Sequence, residues 1–157
     1  MGFFDRLRRL VPGRAPTESF ARGTHALERG RLDLAEAAFT QALAEAEQPA
    51  QVALVRNKLA LVALGRGDRV GTIAALIAAL EADPRSAAAL TTIGNLLLED
   101  GDGDDAVVHY EYAILVDDRY GPAYHNLGVA LHRAGRRGEA VRMLRKASRL
   151  EGRMRLL

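Results

Sequence analysis

The stretch that decides the fold is "YHNLGVALHRAG", residues 124–135. An aromatic, a leucine, a glycine and a second leucine fall at offsets 0, +3, +4 and +7, the spacing of one helical face. Tyr124, Leu127, Gly128 and Leu131 therefore share a side of a helix. A glycine inside a helix costs about 1 kcal/mol relative to alanine. Gly128 thus predicts a place where another segment approaches too closely to admit a side chain.

Working outward, Gly135 has counterparts at Gly101, Gly67 and Gly30, spaced 34, 34 and 37 residues. Ala147 has counterparts at Ala113, Ala79 and Ala42 with the same three spacings. Two independent ladders in one register define four units, 16–52, 53–86, 87–120 and 121–154. The three extra residues of the first interval are expected in a longer connection at "EQPAQ", 47–51. Each unit reads as two helices. In the third, Leu90, Ile93, Gly94 and Leu97 mark the first helix, "GDGDDA" the turn, and Ala106, Tyr110 and Ala113 the second. Small residues belong where two helices cross closely, and large ones fill the space beside them. Pro84 is placed to stop the second helix of the second unit.

This pattern resembles the tetratricopeptide repeat (TPR) family, whose 34-residue helix-turn-helix unit stacks into arrays. The fourth unit carries the resemblance best, with Tyr124, Leu127, Gly128, Leu131, Ala140, Leu144 and Ala147, and Gly152 in place of the usual proline. The third is comparable, with Asp118 at the proline position, and the second keeps Leu59, Ala60, Gly67, Leu76, Ala79 and Pro84. The first departs at its start, Ser19 and Arg22, then regains Ala35, Phe39 and Ala42, as a terminal cap would. The resemblance, over residues 16–154, implies an all-α, right-handed α-solenoid of four helix-turn-helix units. A short N-terminal amphipathic segment and linker over residues 1–15, read from its own residues, precedes them, and residues 155–157 form a tail.

The resemblance also implies a non-catalytic adaptor that binds a partner peptide or helix along a concave face lined by the first helix of each unit. Projected onto that face are Phe20, Thr24 and Leu27; Asn57, Lys58 and Leu61; Thr91, Asn95 and Leu98; and His125, Asn126, Val129 and His132. An asparagine amide both donates and accepts, so it can hold a peptide backbone without reading its sequence. Asn126 and Asn95 stand where the family often has ligand-holding asparagines. Thr91 stands where chaperone-tail receptors have their first clamp lysine, which disfavours that ligand. The alternative is that these asparagines are common repeat residues that contact only neighbouring helices or solvent. Leu27, Leu61, Leu98 and Val129 favour an apolar or amphipathic peptide over a highly charged one.

The rest of the sequence excludes more than it adds. With hydrophobic residues at 48% and charged ones at 27%, the chain has an ordinary globular composition. It has no cysteine, which removes disulfides, thiolate metal sites and cysteine nucleophiles. The longest apolar run, "IAALIAAL" at 73–80, is too short to cross a bilayer, and the N-terminus lacks the apolar core of a secretion signal. A cytoplasmic location, peripheral to a membrane at most, is expected. Asp100, Asp102, Asp104 and Glu111 match EF-hand positions, but Asp105 stands where that loop requires glycine. The stretch reads as the ordinary inter-helix turn, with Asp104 capping the second helix. His125 and His132, seven residues apart, are about 10.5 Å apart along a helix axis, too far for one zinc. No nucleophile–base pair or phosphate loop appears. No enzyme activity, metal or cofactor is expected.

Charge is segregated. Residues 99–118 contain eight carboxylates and no lysine or arginine, and residues 133–155 contain nine basic residues against Glu139 and Glu151. Without aromatics beyond Tyr124 to stack on bases, a nucleic-acid partner is disfavoured. Solvated faces that steer partners, an acidic partner, and a self-assembling homo-oligomer are the readings left. The N-terminal "MGFFDRLRRLV", written as a helix, groups Phe3, Leu7 and Leu10 beside Phe4 and Val11, with Arg6, Arg8 and Arg9 around them. It suits docking on a partner, folding on the first unit, or an anionic membrane, so a peripheral membrane tether is the alternative function. Arg6 stands where a myristoylation motif requires serine or threonine. At the other end, Met154, Leu156 and Leu157 are expected to cover the last helix face or to recruit something that does.

Overall fold

The computed structural model describes residues 17–154, and among them there are eight helices and no strand. They are α1 (Glu18–Glu28), α2 (Leu32–Glu45), α3 (Pro49–Gly65), α4 (Arg69–Ala82), α5 (Ala87–Asp100), α6 (Gly103–Val116), α7 (Gly121–Arg133) and α8 (Arg137–Met154). The N-terminal expectations for Phe3, Phe4, Arg6, Leu7, Arg8, Arg9, Leu10 and Val11 lie outside the described residues, as do those for Leu156, Leu157 and the Met154 side chain. The chain divides into two compact units, the first ending at Ala75 and the second beginning at Leu76, within α4. No described helix is long and apolar enough to cross a membrane.

The glycine ladder has one cause at all four rungs. Gly30, Gly67, Gly101 and Gly135 have φ of +68°, +73°, +92° and +79°, the left-handed region where a side chain is strained. Each ends the first helix of a pair. The next residue then donates back to the helix, as in Arg31 N to Ala26 O, Asp68 N to Ala63 O, Asp102 N to Leu97 O and Arg136 N to Leu131 O, all 2.9 Å. Such caps satisfy carbonyls that the helix end would leave open and turn the chain for an antiparallel return.

In the first unit, α1 and α2 close over Phe20, Ala26, Ala35, Phe39 and Ala42, joined by Val55 and Val62 of α3. The Phe20 and Phe39 rings meet edge to face with centroids 5.7 Å apart, a favoured aromatic geometry. A Cβ on Gly23 would lie 2.6 Å from Phe39, so α1 and α2 nest here even though the first unit opens with Ser19 and Arg22. The longer connection expected at 47–51 is absent. Only Ala46–Gln48 separate α2 from α3, and the extra residues extend α3 itself. Pro49 suits a first helical position because its φ is preset and its missing N–H is not needed there. Gln51 Oε1 accepts from the backbone N–H of Gln48 and Glu47 at 3.1 Å. Arg66, at the end of α3, reaches Asp33 at 2.7 Å and Glu36 at 2.8 Å on α2.

In the second unit the same nesting recurs. A Cβ on Gly94 would lie 2.5 Å from the Tyr110 ring, and one on Gly128 would lie 2.7 Å from Leu144 Cγ. Bare backbone at these two places lets α5 meet α6 and α7 meet α8 with large residues seated between them. Tyr110, Leu127, Leu131 and Ala140 form one cluster, and Leu90, Ala113 and Ala123 another. Lys146 Nζ lies 5.7 Å from the Tyr124 ring centroid, within cation–π range. Two connections repeat at the 34-residue interval: Asp83 Oδ1 accepts from Arg85 N, and Asp117 Oδ1 from Arg119 N, both at 3.0 Å.

One expected cap is corrected. Asp102, not Asp104, occupies the cap position of α6, and its side chain makes no capping bond. Asp104 and Asp105 lie in the first helical turn, where a negative charge favours the helix dipole.

Candidate partner-binding site

The compact unit that begins at Leu76 builds a polar cluster from three helices. Asn95 on α5 presents Oδ1 to two donors: the Tyr110 hydroxyl of α6 at 2.9 Å and Asn126 Nδ2 of α7 at 2.8 Å. That carbonyl oxygen is then fully used. Asn95 Nδ2 and Asn126 Oδ1 have no partner among the described residues, and neither is a buried unsatisfied atom. One free amide donor group and one free acceptor are thus held in place by a third side chain. Burial pushes the Tyr110 phenol up to about 12, against the pull of Arg133 and with a further push from Glu99. The hydroxyl stays protonated at neutral pH and remains the donor.

Around this cluster, Leu98 and Val129 are half-buried and His125 and His132 exposed. Leu98 packs against the Tyr110 core while keeping part of its surface outside. Thr91, one turn before Asn95, is buried, and its hydroxyl has no partner. The arrangement offers amide groups, two imidazoles and apolar edges. Asp104 and Glu111 occupy one helix seven residues apart, about 10.5 Å along its axis. That separation does not bring the EF-hand-spaced carboxylates onto one ion. No cluster of three or more His, Asp or Glu side chains suited to a metal occurs among the described residues.

The first unit treats its projected residues differently. Phe20 is not open to a ligand, because its ring is buried against Phe39 and completes the α1–α2 core. Leu27 packs on that same core. Thr24 donates to Phe20 O at 3.0 Å within its own helix. Asn57 is buried, with Oδ1 unpartnered. Lys58 and Leu61 are half-buried. Sequence projection missed a hollow of about 420 Å³ between α1 and α2, floored by Ala26, Leu34, Ala37 and Ala38 and rimmed by Arg22, His25, Arg29 and Arg31. The spacing of Arg22, His25 and Arg29 along α1 was the available signal for it.

Residues 121–153, which span α7 and most of α8, match the tetratricopeptide repeat family. No curated protein sequence matches the chain. Among solved structures, MamA is 22% identical with a TM-score of 0.61, over 88% of this chain and 80% of its own. YrrB, described as a TPR protein with an unusual peptide-binding site, is 21% identical with a TM-score of 0.56, over 85% of this chain and 68% of its own. PilF of Pseudomonas aeruginosa is 24% identical with a TM-score of 0.67, over 84% of this chain and 59% of its own. The chain has the tetratricopeptide-repeat fold, and its residues 121–153 carry the signature of that family.

Proposed function

We propose that the chain is a non-catalytic adaptor that holds a partner peptide or helix against the Asn95–Asn126 face of its third and fourth repeats and so helps assemble a complex. The observation that carries this reading is the shared Asn95 oxygen, which fixes two half-buried amides while leaving Asn95 Nδ2 and Asn126 Oδ1 without a partner among the described residues. A peptide backbone offers the matching carbonyl and N–H. Leu98 and Val129 beside the amides favour an apolar anchor in the bound segment, and His125 and His132 add polar contacts at the edge. YrrB, a neighbour in fold, is described as having a peptide-binding site.

The test is to select peptides against the full chain from a random display library and measure binding by fluorescence anisotropy. Asn126→Ala removes one neutral hydrogen-bonding partner, about 0.5–1.5 kcal/mol, and so weakens binding up to about tenfold with helicity unchanged. Val129→Glu abolishes it. Selected peptides that bind both variants as well as the natural chain would place the site elsewhere.

A further inference from the structure

A second surface lies on the side of α6 turned away from its neighbours. Val108, Tyr112 and Leu115 are 59%, 44% and 76% exposed. Their spacing, i, i+4 and i+7, makes them one continuous stripe along the helix. The opposite side of α6, with Ala106, Val107, Tyr110 and Ala113, is buried, and nothing described covers the stripe. It is bounded by Asp104 and Glu111 along one edge and Asp105 along the other. It lies in the stretch 99–118, which holds eight carboxylates and no lysine or arginine.

One segment of this chain is the chemical complement. In "FFDRLRRLV", residues 3–11, the apolar positions Phe3, Leu7 and Leu10 recur at i, i+4 and i+7, with Arg6, Arg8 and Arg9 among them. The sequence spacing of its three apolar positions equals that of the α6 stripe, and its three arginines outnumber Asp5, opposite in sign to the three carboxylates beside the stripe. The α1–α2 hollow is a worse seat for the same segment, because Arg22, Arg29 and Arg31 already rim it with like charge.

We infer that the outer stripe of α6, Val108–Tyr112–Leu115 with Asp104, Asp105 and Glu111, binds residues 3–11 of a second copy of this chain. The apolar positions supply affinity, and the opposed charges set orientation and encounter rate. This association leaves the Asn95–Asn126 face free, so its failure and that of the peptide-binding reading are separable.

Sedimentation velocity of the full chain across a concentration series at low salt tests it. The expected result is reversible association that weakens in high salt and is lost in Leu115→Asp. Arg8→Glu with Arg9→Glu weakens it about tenfold or more, and so does Asp104→Arg with Glu111→Arg. Combining the two pairs restores it. All the α6 substitutions are at exposed positions, and circular dichroism checks that helicity is kept. A synthetic peptide of residues 1–14, in excess, dissociates the assembly. A chain that stays monomeric, an association that the α6 variants leave unchanged, or a charge-swapped chain that does not reassociate overturns the inference. So does a monomer whose first eleven residues bind anionic phosphatidylserine vesicles instead.

Discussion

Asn126 Nδ2 donates to Asn95 Oδ1 at 2.8 Å while the Tyr110 hydroxyl donates to the same oxygen at 2.9 Å. A single acceptor atom therefore ties α5, α6 and α7 together. Replacing it with an apolar isostere strands two donors, whereas removing one donor strands none that is buried without water. Asn95→Leu is expected to destabilise the chain by about 1–3 kcal/mol and Tyr110→Phe by about 1 kcal/mol or less. Urea denaturation followed by circular dichroism checks the order, and a Tyr110→Phe effect larger than that of Asn95→Leu contradicts the arrangement.

Gly128 separates the effect of close approach from that of helix propensity. Alanine favours a helix over glycine by about 1 kcal/mol, yet a Cβ on Gly128 would lie 2.7 Å from Leu144 Cγ and 3.3 Å from Ala140 O. Gly128→Ala is expected to destabilise by about 1–3 kcal/mol. Gly138→Ala in α8, where nothing lies within 4 Å, is expected to be neutral or stabilising. In a double-mutant cycle, Leu144→Ala should relieve part of the Gly128→Ala cost, so the two will not add. Thermal unfolding of the natural chain and these four variants measures all of this.

Much of the architecture was legible in the sequence because it depends on backbone sterics. The ladder Gly30, Gly67, Gly101 and Gly135 gave the repeat register and the turns, which the structure explains as left-handed helix ends, and Gly128 pointed to a nested helix pair. Gly23 belongs with Gly94 and Gly128 and was missed, because its flanking Ser19 and Arg22 hide the first unit's register. Pro49 within "EQPAQ" suggests a loop, although a proline at the first helical position starts a helix just as well. At the site, register placed Phe20, Asn57 and Thr91 on an outer face, yet each is buried. Which way a residue at a helix flank turns depends on what stands opposite, Phe39 in the case of Phe20, and that is fixed only by tertiary packing.

The left-handed caps predict a graded response to substitution. Gly135 has φ +79° and open space where a Cβ would sit, so strain alone decides the outcome. Gly135→Ala is expected to destabilise by about 1–2 kcal/mol, and Gly135→Asn by less, since asparagine tolerates this conformation. Equal effects in chemical denaturation would show that the turn relaxes to another conformation.

Alkaline pH should weaken the fold through Tyr110. Burial raises its phenol from 10.0 to about 12 in the folded chain, so the unfolded chain loses that proton first. Between those values the unfolded state binds fewer protons, and stability falls as pH rises. The contribution is fully present below pH 10 and is lost through about 12. Tyr120 and Tyr124, also raised by burial, act in the same direction. Melting temperatures across this range should fall more steeply for the natural chain than for Tyr110→Phe, and parallel curves would contradict the buried phenol.

The most direct test of partner binding uses the asparagine side chains themselves. The chain has three, Asn57, Asn95 and Asn126, so their amide resonances can be assigned by substitution and followed while a selected peptide is titrated. Saturable shifts that follow the binding isotherm are expected at Asn95 and Asn126, with Asn57, 4% exposed, unmoved. Saturation of binding with both of those amides unchanged would contradict partner binding at these residues.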